Sequence, residues 1–361
     1  MPADALTLLQ MPEVIMGHIF DNLNLPDILI LRKTCHHLRN LIDDLHADPK
    51  IVSTQIVAGK DSIEFDIYLD KNYDCYPAGK VLRIEYGLVK DVPDAYTVQW
   101  FRSDGSRKAR FEGNDFIAHF CRDFEFIFGG HSLFDFHKNP KNPSKIEKFL
   151  LNLQCFPQGH VHWDAITRQL LSSMKSTLKN RPRPLPVKEF YSVVYDKSHV
   201  LQVLQFLEPK TLEKIQIIYC KSRAFWDLKG FPKLEQWKRC KVLCIRDVIL
   251  EAKIQELIHF EDIKIELGKV MVEDLLEMKE SILNSTSNLT SGRIECLARD
   301  GEEHFLQTYG FPFTDLDQAG DERKSWFFKI PNKKSVLRIS FYFMFLEFEV
   351  LEDPPKNALV H

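Results

Sequence analysis

The stretch from Leu8 to Asp44, LLQMPEVIMGHIFDNLNLPDILILRKTCHHLRNLIDD, decides how the rest of the chain is read. Met11 and Pro12 open a first helix. Proline suits a helix start because its missing N–H needs no partner there, and Glu13 is well placed near the positive end of the helix dipole. Val14, Ile15, Ile19, Phe20 and Leu23 then recur at helical spacing. At Asn24-Leu25-Pro26-Asp27 the chain stops and restarts, since Pro26 cannot continue the earlier helix, and a second helix begins around Asp27 with Ile28, Leu29 and Leu31. A third helix carries Cys35, Leu38, Leu41 and Ile42 and ends in Asp43 and Asp44. Helices this short carry more apolar surface than they can bury on one another. The unit is therefore a small bundle whose surplus face packs on the next domain, or half of an interface with a partner.

The whole chain, 361 residues long, exceeds one ordinary core and suggests two or three units. With 44% hydrophobic residues, 27% charged residues and a net charge of -3, it has a globular composition and no electrostatic reason to bind nucleic acid. Its longest apolar runs, such as FYFMF near the end, fall far short of the roughly 20 residues that span a bilayer. The start, MPADALTLLQMPE, lacks the basic opening of a signal peptide. The expectation is an intracellular protein, cytoplasmic and/or nuclear, with no membrane partner. Cysteines are scattered through apolar runs (Cys121, Cys220, Cys244, Cys296), which reads as free buried thiols in a reducing compartment.

From Ile51 the hydrophobic period changes to two. Ile63, Phe65, Ile67 and Leu69 alternate with polar neighbours, followed by Leu82, Ile84 and Tyr86, then Tyr96, Val98 and Trp100, then a short run into Phe111. Turn-rich segments separate them, so the spacing predicts a small antiparallel β meander. Arg102, Arg107, Lys108 and Arg110 form a basic cluster, read as a solvated hairpin tip. Helical spacing returns at Phe116, Phe120, Phe124 and Ile127. Gly129-Gly130 break that helix, and a short strand is expected around Leu133 to Phe136. Trp163, Ile166, Leu170, Met174 and Leu178 mark a long helix ended by LKNRPRPLP, read as a plain connector.

After Pro186 short strands recur near Phe190, Ile215, Leu243, Ile263 and Ile294. Their spacing lies around that of leucine-rich-type solenoids, and Leu212-x-x-Ile215-x-Ile217-x-x-Cys220 fits that pattern best. Amphipathic helices are expected between them: Val200, Val203, Leu204 and Leu207; Leu250, Ile254, Leu257 and Ile258; Val272, Leu275, Leu276 and Leu283. Each unit leaves a face that only a neighbour can cover. Trp326 to Val350 reads as a closing β hairpin whose second strand runs from Leu337 through Phe341 to Phe345, and residues after Pro354 as a loose tail.

Two resemblances organise these pieces. The pattern Met11-Pro12-Glu13-Val14, Ile19, Leu23, Leu25-Pro26-Asp27, Leu31-Arg32, Cys35, Leu38-Arg39 and Leu41-Ile42-Asp43-Asp44 resembles an F-box. Met11 replaces the usual leucine and Leu38 stands where many members have tryptophan, both apolar exchanges. The resemblance implies docking on a Skp-family adaptor, and through it on a cullin and a ring-finger protein in a ubiquitin ligase. Carried over position by position, the adaptor-binding set is Met11, Pro12, Val14, Ile15, Ile19, Leu23, Leu31 and Cys35. In the second half, Leu234-Glu235-Gln236-Trp237-Lys238, His259-Phe260, Glu273-Asp274-Leu275-Leu276-x-x-Lys279-Glu280, Phe311-Pro312 and Trp326-Phe327-Phe328-x-Ile330-Pro331-Asn332 are similar to the FTH domain, also called the domain of unknown function thirty-eight. That domain follows an F-box in the nematode F-box A proteins, and the resemblance implies that it recognises the substrate.

The expected fold class is α+β multi-domain: a three-helix F-box over residues 1–50, an antiparallel β-rich segment over 51–114, a helical connecting segment over 115–185, an FTH domain with a leucine-rich-like strand-helix solenoid closed by a β hairpin over 186–353, and a tail over 354–361. No phosphate-binding loop, nucleophile elbow or HExxH motif is present. Cys155, His160 and His162 lack the further ligands a zinc site needs, so no metal or cofactor is expected. The combined reading is a non-catalytic substrate-recognition subunit of an SCF-type cullin-RING E3 ubiquitin ligase with an unknown protein substrate. Its rival is a non-ligase scaffold or defence protein that binds a protein partner through the solenoid, which Met11 and Thr34 leave open.

Overall fold

The computed structural model describes residues 11–23, 25–45, 50–69, 81–90, 92, 94–102, 105–129, 145–153, 161–221, 223–316 and 320–361. The expected strand around Leu133 to Phe136, Cys155 and His160 lie outside the described residues. The architecture is mixed α/β, with a helical N-terminal region and extensive, mostly β sheet structure. The chain divides into two compact units, 1–193 with 198–212, and 194–197 with 213–361.

The first unit opens with three helices, α1 (Glu13–Asn22), α2 (Leu25–Leu31) and α3 (His36–Leu45). Pro12 is the N-cap of α1, just ahead of the helix. The second helix starts at Leu25 and not near Asp27, because Pro26 is accommodated in the first turn, where its missing N–H costs nothing. Met16, Phe20, Leu25, Ile28, Leu38 and Ile42 form the small core of these helices. Arg32 donates two hydrogen bonds to Asp43, at 2.8 and 3.0 Å, fastening the end of α2 to α3.

Five antiparallel strands follow, β1 (Ser53–Ala58), β2 (Ser62–Tyr68), β3 (Val81–Leu88), β4 (Ala95–Arg102) and β5 (Gly105–Glu112), each paired with the next. Exposed Arg107, Lys108 and Arg110 lie on β5, the outermost strand of the meander, where charge discourages a further strand from pairing. Helix α4 (Phe116–Phe128) is capped by Asp115, whose side chain accepts a hydrogen bond from the Ala118 N–H at 3.0 Å. It ends at Gly129, where a Cβ would sit 2.4 Å from the Glu125 carbonyl oxygen. Phe116, Phe120 and Phe124 lie on its buried face, and Phe65 on β2 meets Phe120 with ring centroids 5.5 Å apart.

The segment 115–185, expected to be helical, also contains a strand, β6 (Ile146–Leu153), which pairs in parallel with β1. Its sequence, IEKFLLNL, breaks strict alternation at Glu147-Lys148 and Leu150-Leu151, which blurs the two-residue signal. Helix α5 (Val161–Lys179) packs on α4, then β7 (Val187–Val194) pairs in parallel with β6, and α6 (Lys197–Leu204) follows. The strand order in this unit is β5-β4-β3-β2-β1-β6-β7.

The second unit contains β8 (Lys214–Tyr219), β9 (Phe225–Asp227), α7 (Glu235–Arg239), β10 (Val242–Glu251), β11 (Asp262–Val270), α8 (Val272–Leu283), β12 (Ser291–Arg299), α9 (Glu302–Tyr309), β13 (Phe313–Leu316), β14 (Glu322–Lys329), β15 (Val336–Tyr342) and β16 (Phe345–Leu351). Strands β8, β10, β11 and β12 run parallel, and β9 pairs with the far half of β10 after its register shifts between Cys244 and Ile249. The helix expected through Leu250, Ile254, Leu257 and Ile258 is absent. Leu250 belongs to the ten-residue β10, paired with Leu267, and only a 3-10 turn at Ile254–Glu256 follows.

The expected closing hairpin is a four-stranded antiparallel meander, β13 to β16, and β16 pairs antiparallel with β12. The single strand expected from Leu337 to Phe345 is two, because the chain turns at Phe343-Met344 between the paired Tyr342 and Phe345. Neither turn residue is a glycine, asparagine or aspartate, so the usual hairpin signal is missing; Phe343 takes a φ of 43°. The tail is not loose. Pairing of β13 with β14 stops at Ser325, and the His361 N–H fills the vacated edge by donating to the Phe327 carbonyl at 2.9 Å. Cys121 and Cys220, expected to be buried, are half-buried.

Gly292 of β12 sits where Phe348 and Ile263 meet, and an added Cβ would lie 2.1 Å from Phe348 Cζ. Around Gly17 of α1 there is nothing within 4 Å of an added Cβ. Gly292→Ala is expected to lower the unfolding free energy by about 1–3 kcal/mol through overpacking. Gly17→Ala should raise it by about 0.5–1 kcal/mol through helix propensity. Chemical denaturation checks both, and equal effects at the two glycines would contradict the packing described.

Candidate functional site

On α1 the residues step by 100° around the axis. Met16 and Phe20 point into the helical core, while Ile15 lies 100° from Met16 and Val14 lies well over 100° from both, so these two face outward. Val14 is 73% and Ile15 46% exposed. The i, i+4 series Met11, Ile15, Ile19 and Leu23 makes one stripe along the helix. Met11, Ile19 and Leu23 are half-buried at its margins and Pro12 is exposed at the helix start.

Leu31 and Cys35 occupy a second place, the α2–α3 turn. Leu31 is half-buried, and Cys35 is exposed with its sulfur accepting the Leu38 N–H at 3.5 Å. None of the eight expected docking residues belongs to the buried core. Sequence reasoning missed Ile30 of α2, which is 47% exposed on the side away from Leu25 and Ile28. Its signal was available as an isoleucine out of phase with those two core residues. The Arg32 guanidinium lies 5.2 Å over the Phe126 ring of α4, which ties the helices to the sheet-bearing part of the same unit.

In the second unit, one face of the sheet is apolar and covered by helices, as where Phe305 of α9 meets Trp326 and Phe341. The other face carries charge and borders an open groove of about 680 Å³. On it Lys264 stands beside Arg293, and Glu266 beside Glu295, in the register of β11 and β12. Arg338 donates to Glu349 at 2.6 Å, and Arg293 stacks 3.8 Å over the Phe345 ring. Burial raises the Glu266 pKa, Glu295 and Asp247 add to the rise, and Arg223 opposes it. The sequence reading followed the inward residues of each repeat and passed over these outward ones. The alternation Lys264-x-Glu266-x-Gly268 and Arg293-x-Glu295-x-Leu297 was the signal that marked them.

Nucleophile chemistry finds little support in the thiols. Burial pushes Cys240 up to about 12 and also raises Cys121, so neither supplies a thiolate at neutral pH. Among the described residues no group of three or more His, Cys, Asp or Glu side chains is placed to hold a metal ion. No described helix is long and apolar enough to cross a membrane.

Comparison with known proteins finds two domain matches, the second of which begins within the first compact unit and extends into the second. Residues 8–49 match the F-box domain and residues 168–307 match the FTH domain. F-box A protein 224 of Caenorhabditis elegans is 24% identical over 278 residues, a stretch covering 76% of this chain and 63% of that relative. No solved structure matches the chain. The chain thus carries an F-box domain followed, in N-to-C order, by an FTH domain, and is similar over three quarters of its length to a nematode F-box A protein.

Proposed function

We propose that this protein is a substrate-recognition subunit of an SCF-type cullin-RING ubiquitin ligase. F-box proteins are in general non-catalytic adaptors, and an F-box domain generally binds a Skp-family adaptor within such complexes. In this chain the docking set is Met11, Pro12, Val14, Ile15, Ile19, Leu23, Leu31 and Cys35, with Ile30 added. The observation that carries the reading is the exposed apolar surface at Val14, Ile15 and Ile30, on helices whose own core excludes it. Fully covering such a side chain contributes about 1.5–3 kcal/mol, so a few of them supply the centre of an interface. The parallel strands of the second unit and their connections stack as an irregular solenoid that presents a protein substrate. The reaction chemistry belongs to other subunits, and this chain contributes proximity by raising the substrate's effective concentration near a charged conjugating enzyme.

Purified full-length protein should capture a Skp-family adaptor, and Pro12→Ala combined with Ile15→Asp should weaken that capture by at least about a hundredfold. Undiminished binding by the double variant would remove the site assignment. Docking and folding are separable here. Ile15 occupies the first turn of α1, where an aspartate is favoured by the helix dipole, so Ile15→Asp should change the unfolding free energy by less than about 1 kcal/mol. Phe20→Ala, inside the core, should cost about 3–5 kcal/mol. Thermal or urea denaturation of the two variants measures the difference.

A further inference from the structure

The charged face of the second unit contains an unbalanced cluster. Glu266 and Glu295 are neighbours in register, and Asp247 stands at the break in β10 with a φ of 64°. Among the described residues one cation, Arg223, is ion-paired with both glutamates. Its Nη2 donates to Glu295 at 2.7 Å and pairs with Glu266 Oε1 at 3.1 Å, yet among the described residues that oxygen accepts no hydrogen bond. Glu266 is only 5% exposed, so its Oε1 is held largely out of water with the shared Arg223 ion pair but without an aligned hydrogen bond, and a further donor would stabilise it. A cationic donor reaching the groove that Glu266 lines would complete the set.

Beside the carboxylates lies an apolar shelf. Phe225 is 62% and Leu297 44% exposed. The Phe225 ring leans over Gly268, where an added Cβ would lie 3.9 Å from it. Gly268 and Leu297 are each two residues beyond Glu266 and Glu295 on the same face. At about 3.3 Å per residue the shelf is displaced by roughly 7 Å, the spacing of same-side residues in an extended chain.

We propose that this face binds an extended segment of a protein partner that places a lysine or arginine between Glu266, Glu295 and Asp247, and a large apolar side chain two residues away on the Phe225–Gly268–Leu297 shelf. The proposal rests on the reading of the second unit as the substrate-binding part. A free amine or guanidine would satisfy the carboxylates alone; the adjoining shelf is what selects a peptide.

Short fluorescent peptides containing arginine and leucine two apart, titrated against the full-length protein, test it by fluorescence polarisation. Saturable binding is expected, weakened at least about tenfold when glutamine replaces the arginine, when the two residues are made adjacent, and in the Glu295→Gln and Leu297→Ser variants. Glu266→Gln should behave likewise. If that buried change impairs folding, the two more exposed variants decide the matter. Absence of saturable binding, equal binding of the glutamine peptide, or indifference to both Glu295→Gln and Leu297→Ser would overturn the proposal, as would displacement of the peptide by calcium alone. Failure of the unsubstituted protein to capture a Skp-family adaptor, with peptide binding intact, would remove the ligase reading and leave this site standing.

Discussion

The N-terminal helices contain more apolar side chains than a unit of their size can enclose, and the rest of the account depends on that shortage of interior. Met16, Phe20, Leu25, Ile28, Leu38 and Ile42 fill the space between α1, α2 and α3. With that space taken, Val14, Ile15 and Ile30 are left facing outward. A helical unit this small gains little from its own core, and it keeps its geometry with help from Arg32, which bonds Asp43 on one side and lies over Phe126 on the other. The arrangement is costly for an isolated protein and useful for one that must be held by an adaptor.

The second unit separates structure from recognition in another way. Strand alternation sends Ile263, Ile265, Ile294 and Phe348 to the helix-covered face and Lys264, Glu266, Arg293 and Glu347 to the open one. The apolar layer is left intact by substitution on the open face. Most of its charges are already neutralised within the sheet, as Arg338 is by Glu349. The carboxylates around Glu266 are the place where the balance fails.

Much of this was legible in the sequence. The helical period through Val14, Ile15, Ile19 and Phe20 corresponds to α1, although of these only Phe20 is buried, and the two-residue period through Ile63, Phe65 and Ile67 corresponds to β2, where it reflects one buried side. The strands at Ile215, Leu243, Ile263 and Ile294 were found for the same reason. What escaped was set by partners distant in sequence. Strand β6 exists because β1 and β7 pair with it, and His361 is held because β13 releases the edge of β14 too early. The turn at Phe343 carries none of the residues that favour a positive φ. At the docking face, periodicity separated Met16 and Phe20 from Val14 and Ile15 correctly only once the core was known, because all four are apolar. Glu266 was invisible as a candidate since its interest lies in burial and an unfilled acceptor, neither of which a sequence displays.

The central claim is that the outward face of α1 touches an adaptor. Site-specific photo-crosslinking tests it most directly: a photoreactive amino acid is placed at Val14 in one protein and at Asn40, exposed on α3, in another, each mixed with a purified Skp-family adaptor. A covalent adduct with the adaptor is expected from Val14, abolished by Pro12→Ala with Ile15→Asp in the same chain. No adduct from Val14, or one that survives those substitutions unchanged, would contradict it.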